Sequence, residues 1–416
     1  MELGTTHPTS MVNIVPIMAT VFIAFAVVGV AMPVLPLHVH DGLGLSTFLV
    51  GLVAGSQFAA SLVSRIWAGR FADMRGAKHA VIVGLLVATA AGLLYLLSLR
   101  FVIDPVLSVT ILLVGRAVLG IGESFIITGA QAWGLVLLGP QNAGRVLAWM
   151  GTAMYAAFAL GAPAGSAIFA QYGFLGVASA TTVIPLLALL VAAPLRRVSP
   201  TAHQASALSN VLASVWVPGI GLAFSSVGFG AVTAFVSLLF ATRGWTIWPA
   251  FTLFAAAFIL ARVFLGHLAD QRGGAKVALI FVLIQAAGQA LLWLAPDSGI
   301  ALLGAALSGF GYSLVYPAFG VEAVRHAKSE SKGLVMGAYT AFLDLTLALA
   351  SPALGLIAGM AGLGCVFLAS TISVLCASFV GLRLIGTRLT YKASTPWPRP
   401  SMEPTPFEAP PEAKVT

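Results

Sequence analysis

The chain has 416 residues, 59% of them hydrophobic and only 8% charged, a balance that polar side chains could not cover on a soluble protein of this length. Its formal net charge of +8 is spread over short basic clusters between apolar runs, which is the pattern of membrane topology and needs no nucleic acid to explain it. The two cysteines, Cys365 and Cys376, share one apolar run with neither disulfide-framework nor metal-ligand spacing, so they read as lipid-facing or packing residues.

Along the chain, apolar runs of about 20 residues recur, each long enough to cross hydrocarbon. They fall at 12–37, 46–68, 79–99, 105–133, 145–169, 174–194, 211–240, 247–265, 277–295, 298–320, 334–357 and 361–385. The first is too long for a signal-peptide core and has no basic segment before it, so it reads as a retained transmembrane helix. The fold predicted is an all-α membrane protein with about twelve transmembrane helices in two pseudo-symmetric six-helix bundles. The bundles are 1–194 and 211–385, joined by a polar loop at 195–210 and followed by a proline-rich, disordered tail at 386–416. Placing alternate loops on opposite sides collects Arg70, Arg75, Lys78, Arg145, Arg196, Arg197, Arg272, Lys276, Arg325, Lys328, Lys332 and the tail's basic residues on one face, and leaves Arg100 and Arg243 on the other. Basic loops stay cytoplasmic, so both termini are expected inside the cell, with the chain in the inner membrane.

The halves repeat. Arg65-Ile-Trp-Ala-Gly69-Arg-Phe-Ala-Asp73-Met-Arg75-Gly76 returns as Arg262-Val-Phe-Leu-Gly266-His-Leu-Ala-Asp270-Gln-Arg272-Gly273, including the rare intramembrane arginine. Gly120-Ile-Gly122-Glu123-Ser124 aligns with Gly309-Phe-Gly311-Tyr312-Ser313, and Gly144 and Pro163 align with Gly333 and Pro352 at that same offset. Equivalent motifs on equivalent helices imply a pseudo-twofold axis normal to the membrane, with a solute site between the halves near mid-bilayer.

Gly69-x-x-x-Asp73-x-Arg75-Gly76-x-Lys78 resembles the signature loop of the major facilitator superfamily, and Arg116 to Gly120 resembles its fourth-helix motif. The strings Val34-Leu-Pro-Leu-His38, Gly120-Ile-Gly-Glu123-Ser and Gly320-Val-Glu322-Ala-Val324 are similar to the bacterial YhhS/YfcJ branch of exporter-like carriers. The resemblance covers nearly all of the chain up to the tail. It implies the major facilitator fold, alternating access, efflux, and a conformational latch at Gly69, Asp73, Arg75 and Gly76 with its repeat at Gly266, Asp270, Arg272 and Gly273. Two departures stand out. Met74 and Ala77 replace residues that are usually basic, and the fifth-helix antiporter motif is softened to Gly161-Ala-Pro163-Ala-Gly165-Ser166.

A charge inside hydrocarbon is costly and calls for a partner or a purpose. Arg116 and Glu123 lie two turns apart on one helix face, about 10 Å along the axis, close enough to share a cavity and too far to touch. Glu123 reads as a proton-accepting carboxylate and Arg116 as the cation that tunes it or receives an anionic solute; a structural polar network is the alternative. Asp344 has no basic residue in its own span, so it is a candidate for proton coupling or substrate binding, or else a hydrogen-bond partner of Thr346 or a neighbouring helix. Arg65 and Arg262 are expected to snorkel toward water near the ends of their helices. His38 and His40 read as an interfacial pair before a metal site, and Glu322 as an interfacial ion pair or a gate. Cavity candidates are Phe25, Gln57, Tyr155, Phe229, Tyr312, Tyr316 and Tyr339, with packing the alternative for each aromatic.

The function expected is proton-coupled export of a small organic solute, by a monomer in the lipid bilayer. The rival readings are an uptake symporter for a sugar or metabolite and a sensor or scaffold that no longer transports. There is no nucleophile elbow, phosphate loop or metal cluster, so neither an enzyme nor a cofactor or metal is expected.

Overall fold

The computed structural model describes residues 14–139, 143–196, 208–325 and 332–394, and every regular element among them is helical. Most of the central loop, Lys328 and the proline-rich tail beyond Ser394 lie outside the described residues, as do the side chains of Arg145, Asp270 and Lys332. Among the described residues, eleven helices are long and apolar enough to cross a membrane. One of them is two spans. The 50-residue run Ala143–Ala192 contains the non-helical Gly173, at φ 61°, and Gly176 lies directly against Ile168. Eight residues of continuous helix would separate those two by about 12 Å, so the chain doubles back at Gly173.

Twelve spans result. In the first half they are α1 (Val15–Gly42), α2 (Thr47–Arg75), α3 (Ala77–Ser98), α4 (Pro105–Leu138), α5 (143–172) and α6 (174–192). In the second they are α7 (Leu208–Thr242), α8 (Trp248–Leu265), α9 (Gly274–Leu294), α10 (Ser298–Val324), α11 (Lys332–Ala361) and α12 (Leu363–Ser394). The last helix continues well past Gly386, where the sequence pattern placed the start of the tail. In hydrocarbon every backbone group must be satisfied within its own segment, which is why the apolar runs become helices. Their outward faces are apolar in both halves at equivalent positions. Ile66 and Trp67 on α2 are exposed, and so are Val263 and Phe264 on α8.

The repeat is a repeat of backbone geometry as well as of letters. Gly76 starts α3 at φ 93°, ψ 148° and Gly273 starts α9 at φ 89°, ψ 132°, a region that only glycine enters cheaply. Gly120 on α4 sits so close to the Gln57 carbonyl of α2 that a Cβ could not fit, and Gly309 on α10 stands in the same relation to the Phe254 carbonyl of α8. Each half therefore crosses its second and fourth helices at a glycine. Asp104 and Asp297 cap α4 and α10 by accepting from the Leu107 and Ile300 amides.

The halves meet along two seams, α2 with α11 and α5 with α8. The α2–α11 seam is closed at the end opposite the termini. There Thr47 Oγ1 donates to the Gly355 carbonyl at 2.8 Å, and Gly51 abuts the backbone of Ser351 and Pro352.

Candidate functional site

Glu123, Gln57 and Arg116 converge inside the first half. Gln57 is almost completely buried, and its Nε2 donates to Glu123 Oε2 at 2.6 Å. The other carboxylate oxygen of Glu123 is buried with no hydrogen-bond partner. Arg116, also buried, donates to the Tyr95 hydroxyl at 3.4 Å and keeps Nε unpartnered. Glu123 is therefore held by Gln57 and interacts with Arg116 electrostatically, without a direct bond. Gln57 and Arg116 both line a cavity between α1, α2, α4 and α7, walled otherwise by Val28, Met32, Phe58 and Thr233. At about 40 Å³ it has room for a few water molecules and not for an organic solute. This cavity admits an organic solute only if its walls move.

Asp344 is not alone. It forms an ion pair with Arg65 of α2, a partner 279 residues away in the chain and in the other half of the molecule. The sequence placed Arg65 at a helix end reaching toward water. Instead it turns inward across the seam to Asp344, whose buried carboxylate would otherwise stand uncompensated. The Asp344 side chain is 5% exposed and that of Arg65 23%. Arg65 and Asp344 both interact electrostatically with Glu123, so the two clusters form one polar layer.

Arg262 is the repeat equivalent of Arg65 and also turns inward. It donates to the Ser313 carbonyl at 2.7 Å, and its guanidinium carbon lies 5.9 Å from the centre of the Phe258 ring, within cation–π range. The aromatic candidates gather beside it. Tyr155 stacks on Phe258 with ring centres 3.7 Å apart. Phe229 stacks on Tyr312 at 5.0 Å and meets Tyr155 edge-on. Phe25 joins through Phe158. Tyr316 bonds Thr340 at 2.6 Å, and Tyr339 donates to the Tyr316 carbonyl. Tyr312 reaches Ser226.

The remaining candidates stand apart from this layer. Gly69 has open space around it, while Asp73 and Arg75 are exposed at the end of α2 with no hydrogen bond from either side chain among the described residues. Gly266 packs on the Arg262 carbonyl, and Arg272 is exposed. His38 and His40 do not pair. His38 is buried and stacked flat on Phe174 at 3.7 Å, while His40 bonds the Leu45 carbonyl at 2.7 Å. Glu322 is buried, accepts from the Ala275 amide at 2.8 Å and faces Arg325 at 3.8 Å, so it ties α10 to the start of α9. Among the described residues no cluster of His, Cys, Asp and Glu could hold a metal ion.

Comparison with known proteins adds lineage to this geometry. The family model described as Major Facilitator Superfamily matches residues 17–250 and 241–411. A relative from Salmonella typhimurium (strain LT2), described as an uncharacterized MFS-type transporter, is 41% identical over 382 residues, covering 91% of this chain and 98% of the relative. One from Burkholderia pseudomallei (strain 1106a), described in the same words, is 39% identical over 367 residues, covering 87% and 89%. Among solved structures, a bacterial homolog of the human lysosomal transporter Spinster, in an inward-facing and unoccupied conformation, superposes with a TM-score of 0.72 at 13% identity, covering 92% of this chain and 98% of that one. At that identity the likeness is one of fold.

Proposed function

The chain belongs to the Major Facilitator Superfamily and is a secondary transporter of that type, and from that premise we propose that it exports a small organic solute in exchange for protons. The observation that carries the proposal is the Arg65–Asp344 pair, a titratable carboxylate joined to a cation across the seam between two bodies that alternating access must separate. While Asp344 is ionised, the pair holds the halves together at that layer. Protonation removes the negative charge and with it the Coulombic reason for Arg65 to stay. Glu123, with one oxygen held by Gln57 and the other free, is the second proton acceptor and senses the pair electrostatically. Solute and proton then favour opposite facing states, and exchange follows from that difference in affinity.

The basic loops support an orientation in the bacterial inner membrane with both termini cytoplasmic, and we take the working unit to be the monomer. The closed end of the α2–α11 seam is then the outer one. The loop aspartates Asp73 and Asp270 serve as latches in the opposite state, when the cytoplasmic ends approach. The efflux direction and the place in the YhhS/YfcJ branch rest on the strings around His38, Glu123 and Glu322.

A deletion and overexpression screen for altered tolerance to toxic metabolites and drugs identifies a solute. Flux of that solute in proteoliposomes under an imposed pH gradient then tests the coupling. Uphill movement of solute against the direction of proton flow supports antiport; flux indifferent to the gradient refutes it, and accumulation in the direction of proton flow reverses the assignment to symport.

A further inference from the structure

The two arginines that the repeat makes equivalent do not meet equivalent partners. Arg65 on α2 crosses the seam to the carboxylate of Asp344 on α11. Arg262 on α8 crosses in the opposite sense to α5, where one terminal nitrogen stands 3.6 Å from the position a Cβ on Gly151 would take. In the register that aligns Gly144 with Gly333 and Pro163 with Pro352, the residue on α5 equivalent to Asp344 is Tyr155. One arginine faces an acid and the other faces a phenol.

Nothing else in the described residues makes up the missing charge. The electrostatic neighbours of Arg262 are Tyr155, Tyr316, Tyr339 and Tyr312, and its hydrogen bond goes to a neutral carbonyl. Tyr316 interacts electrostatically with Arg65, Arg262 and Asp344, so Arg262 borders the same polar layer, which then holds Arg65, Arg116 and Arg262 against Glu123 and Asp344. The layer is cationic even with both acids ionised. A second cation brought there would be repelled, and a neutral solute would leave Arg262 desolvated without a counter-charge. An anion corrects both.

Resting on the transporter reading above, we propose that the solute is an organic anion whose carboxylate pairs with Arg262, in the place where the repeat puts Tyr155 instead of an acid. Its apolar or aromatic body lies against the Tyr155, Phe258, Phe229 and Tyr312 rings. The solute completes the second of two symmetric ion pairs across the seam, the first being built into the protein. Bound there, the solute bridges α5 and α8, as Arg65 and Asp344 bridge α2 and α11. An arginine fork suits a carboxylate, and flat rings suit an aromatic body.

The test uses the purified full chain in detergent and follows thermal unfolding with benzoate, indole-3-acetate and octanoate, beside the neutral benzamide and the cationic benzylamine. At least one of the carboxylates should raise Tm by about 3 °C or more at saturation, and benzamide and benzylamine should not. The shift should vanish in Arg262→Gln. Equal shifts from benzamide, an undiminished shift in Arg262→Gln, or no shift from any of the three carboxylates overturns the proposal. A second measurement needs no ligand. Tyr155→Asp should unfold at a higher temperature than the isosteric Tyr155→Asn, and the difference should disappear in the Arg262→Gln background. Equal Tm for the two substitutions in the otherwise native chain also overturns it. These readouts are independent of proton coupling, so a proton-driven carrier of neutral solutes fails here and still passes the flux assay, whereas an anion carrier without proton coupling does the reverse.

Discussion

Replacing Asp344 by asparagine keeps the shape of the side chain and deletes its charge, leaving Arg65 facing a neutral amide across the seam. Removing one member of a buried pair costs about 3–5 kcal/mol when the remaining charge has no access to water. Here the Arg65 side chain is 23% exposed while that of Asp344 is 5% exposed, so the guanidinium regains part of its hydration, and about 2–3 kcal/mol is the reasonable magnitude. Arg65→Gln strands the carboxylate instead and should cost at least as much. The double variant strands neither charge. Thermal or denaturant unfolding of the four proteins gives a double-mutant cycle, and the account expects a coupling of about 2 kcal/mol. The coupling should also be pH-dependent in one direction. It is present where Asp344 is ionised and fades as pH falls far enough to protonate it. Additivity within about 0.5 kcal/mol at neutral pH would mean that the pair does not join the halves energetically.

Five other substitutions have definite outcomes. Gly120→Val drives a side chain into the Gln57 carbonyl and should lower unfolding stability by about 1–3 kcal/mol or more, whereas Gly69→Ala, with open space around it, should be neutral or slightly stabilising. Gly76→Ala and Gly273→Ala force the same glycine-only backbone region and should each cost about 1–3 kcal/mol, with similar values at both sites because the repeat makes the sites equivalent. Glu123→Gln preserves a partner for Gln57, so Tm should change little while pH-gradient-driven flux is lost; retention of that flux would remove Glu123 from the coupling.

The sequence carried the repeat because its marks are local. Gly76 and Gly273 need a backbone only glycine adopts cheaply, and Gly120 and Gly309 need a helix crossing without a Cβ, so both pairs survive as letters at fixed spacing. The twelve spans were legible for the same reason, since apolar length alone sets them. The Arg65–Asp344 pair was not, because a search for a base within Asp344's own span sees only neighbours on one helix. The partner came from the other half, and only the assembled seam brings it near. The signal was present in the alignment itself. Arg65 and Arg262 are equivalent, Asp344 and Tyr155 are equivalent, and an arginine kept twice in hydrocarbon asks what stands opposite it. Arg116 drew attention as the neighbour of Glu123 because both lie on one face of α4, yet the bond comes from Gln57 on α2, where the Gly120 crossing presses the two helices together. His38 misled in the opposite way. Its closeness to His40 in sequence suggested a pair, while the π-helical turn at His38–Gly42 sends it inward onto Phe174.

Proton-driven alternating access requires that protonation of the interior carboxylates move one half against the other. Spin labels at Met74→Cys and Gln271→Cys, exposed and equivalent positions at the ends of the two repeats, would report that movement in a chain whose Cys365 and Cys376 have been replaced. Between neutral and acidic pH the distance distribution should shift toward a second population, and the shift should be lost when Glu123→Gln and Asp344→Asn are combined. A distribution that ignores pH in the otherwise native chain, or one that still responds fully in the double variant, contradicts the account.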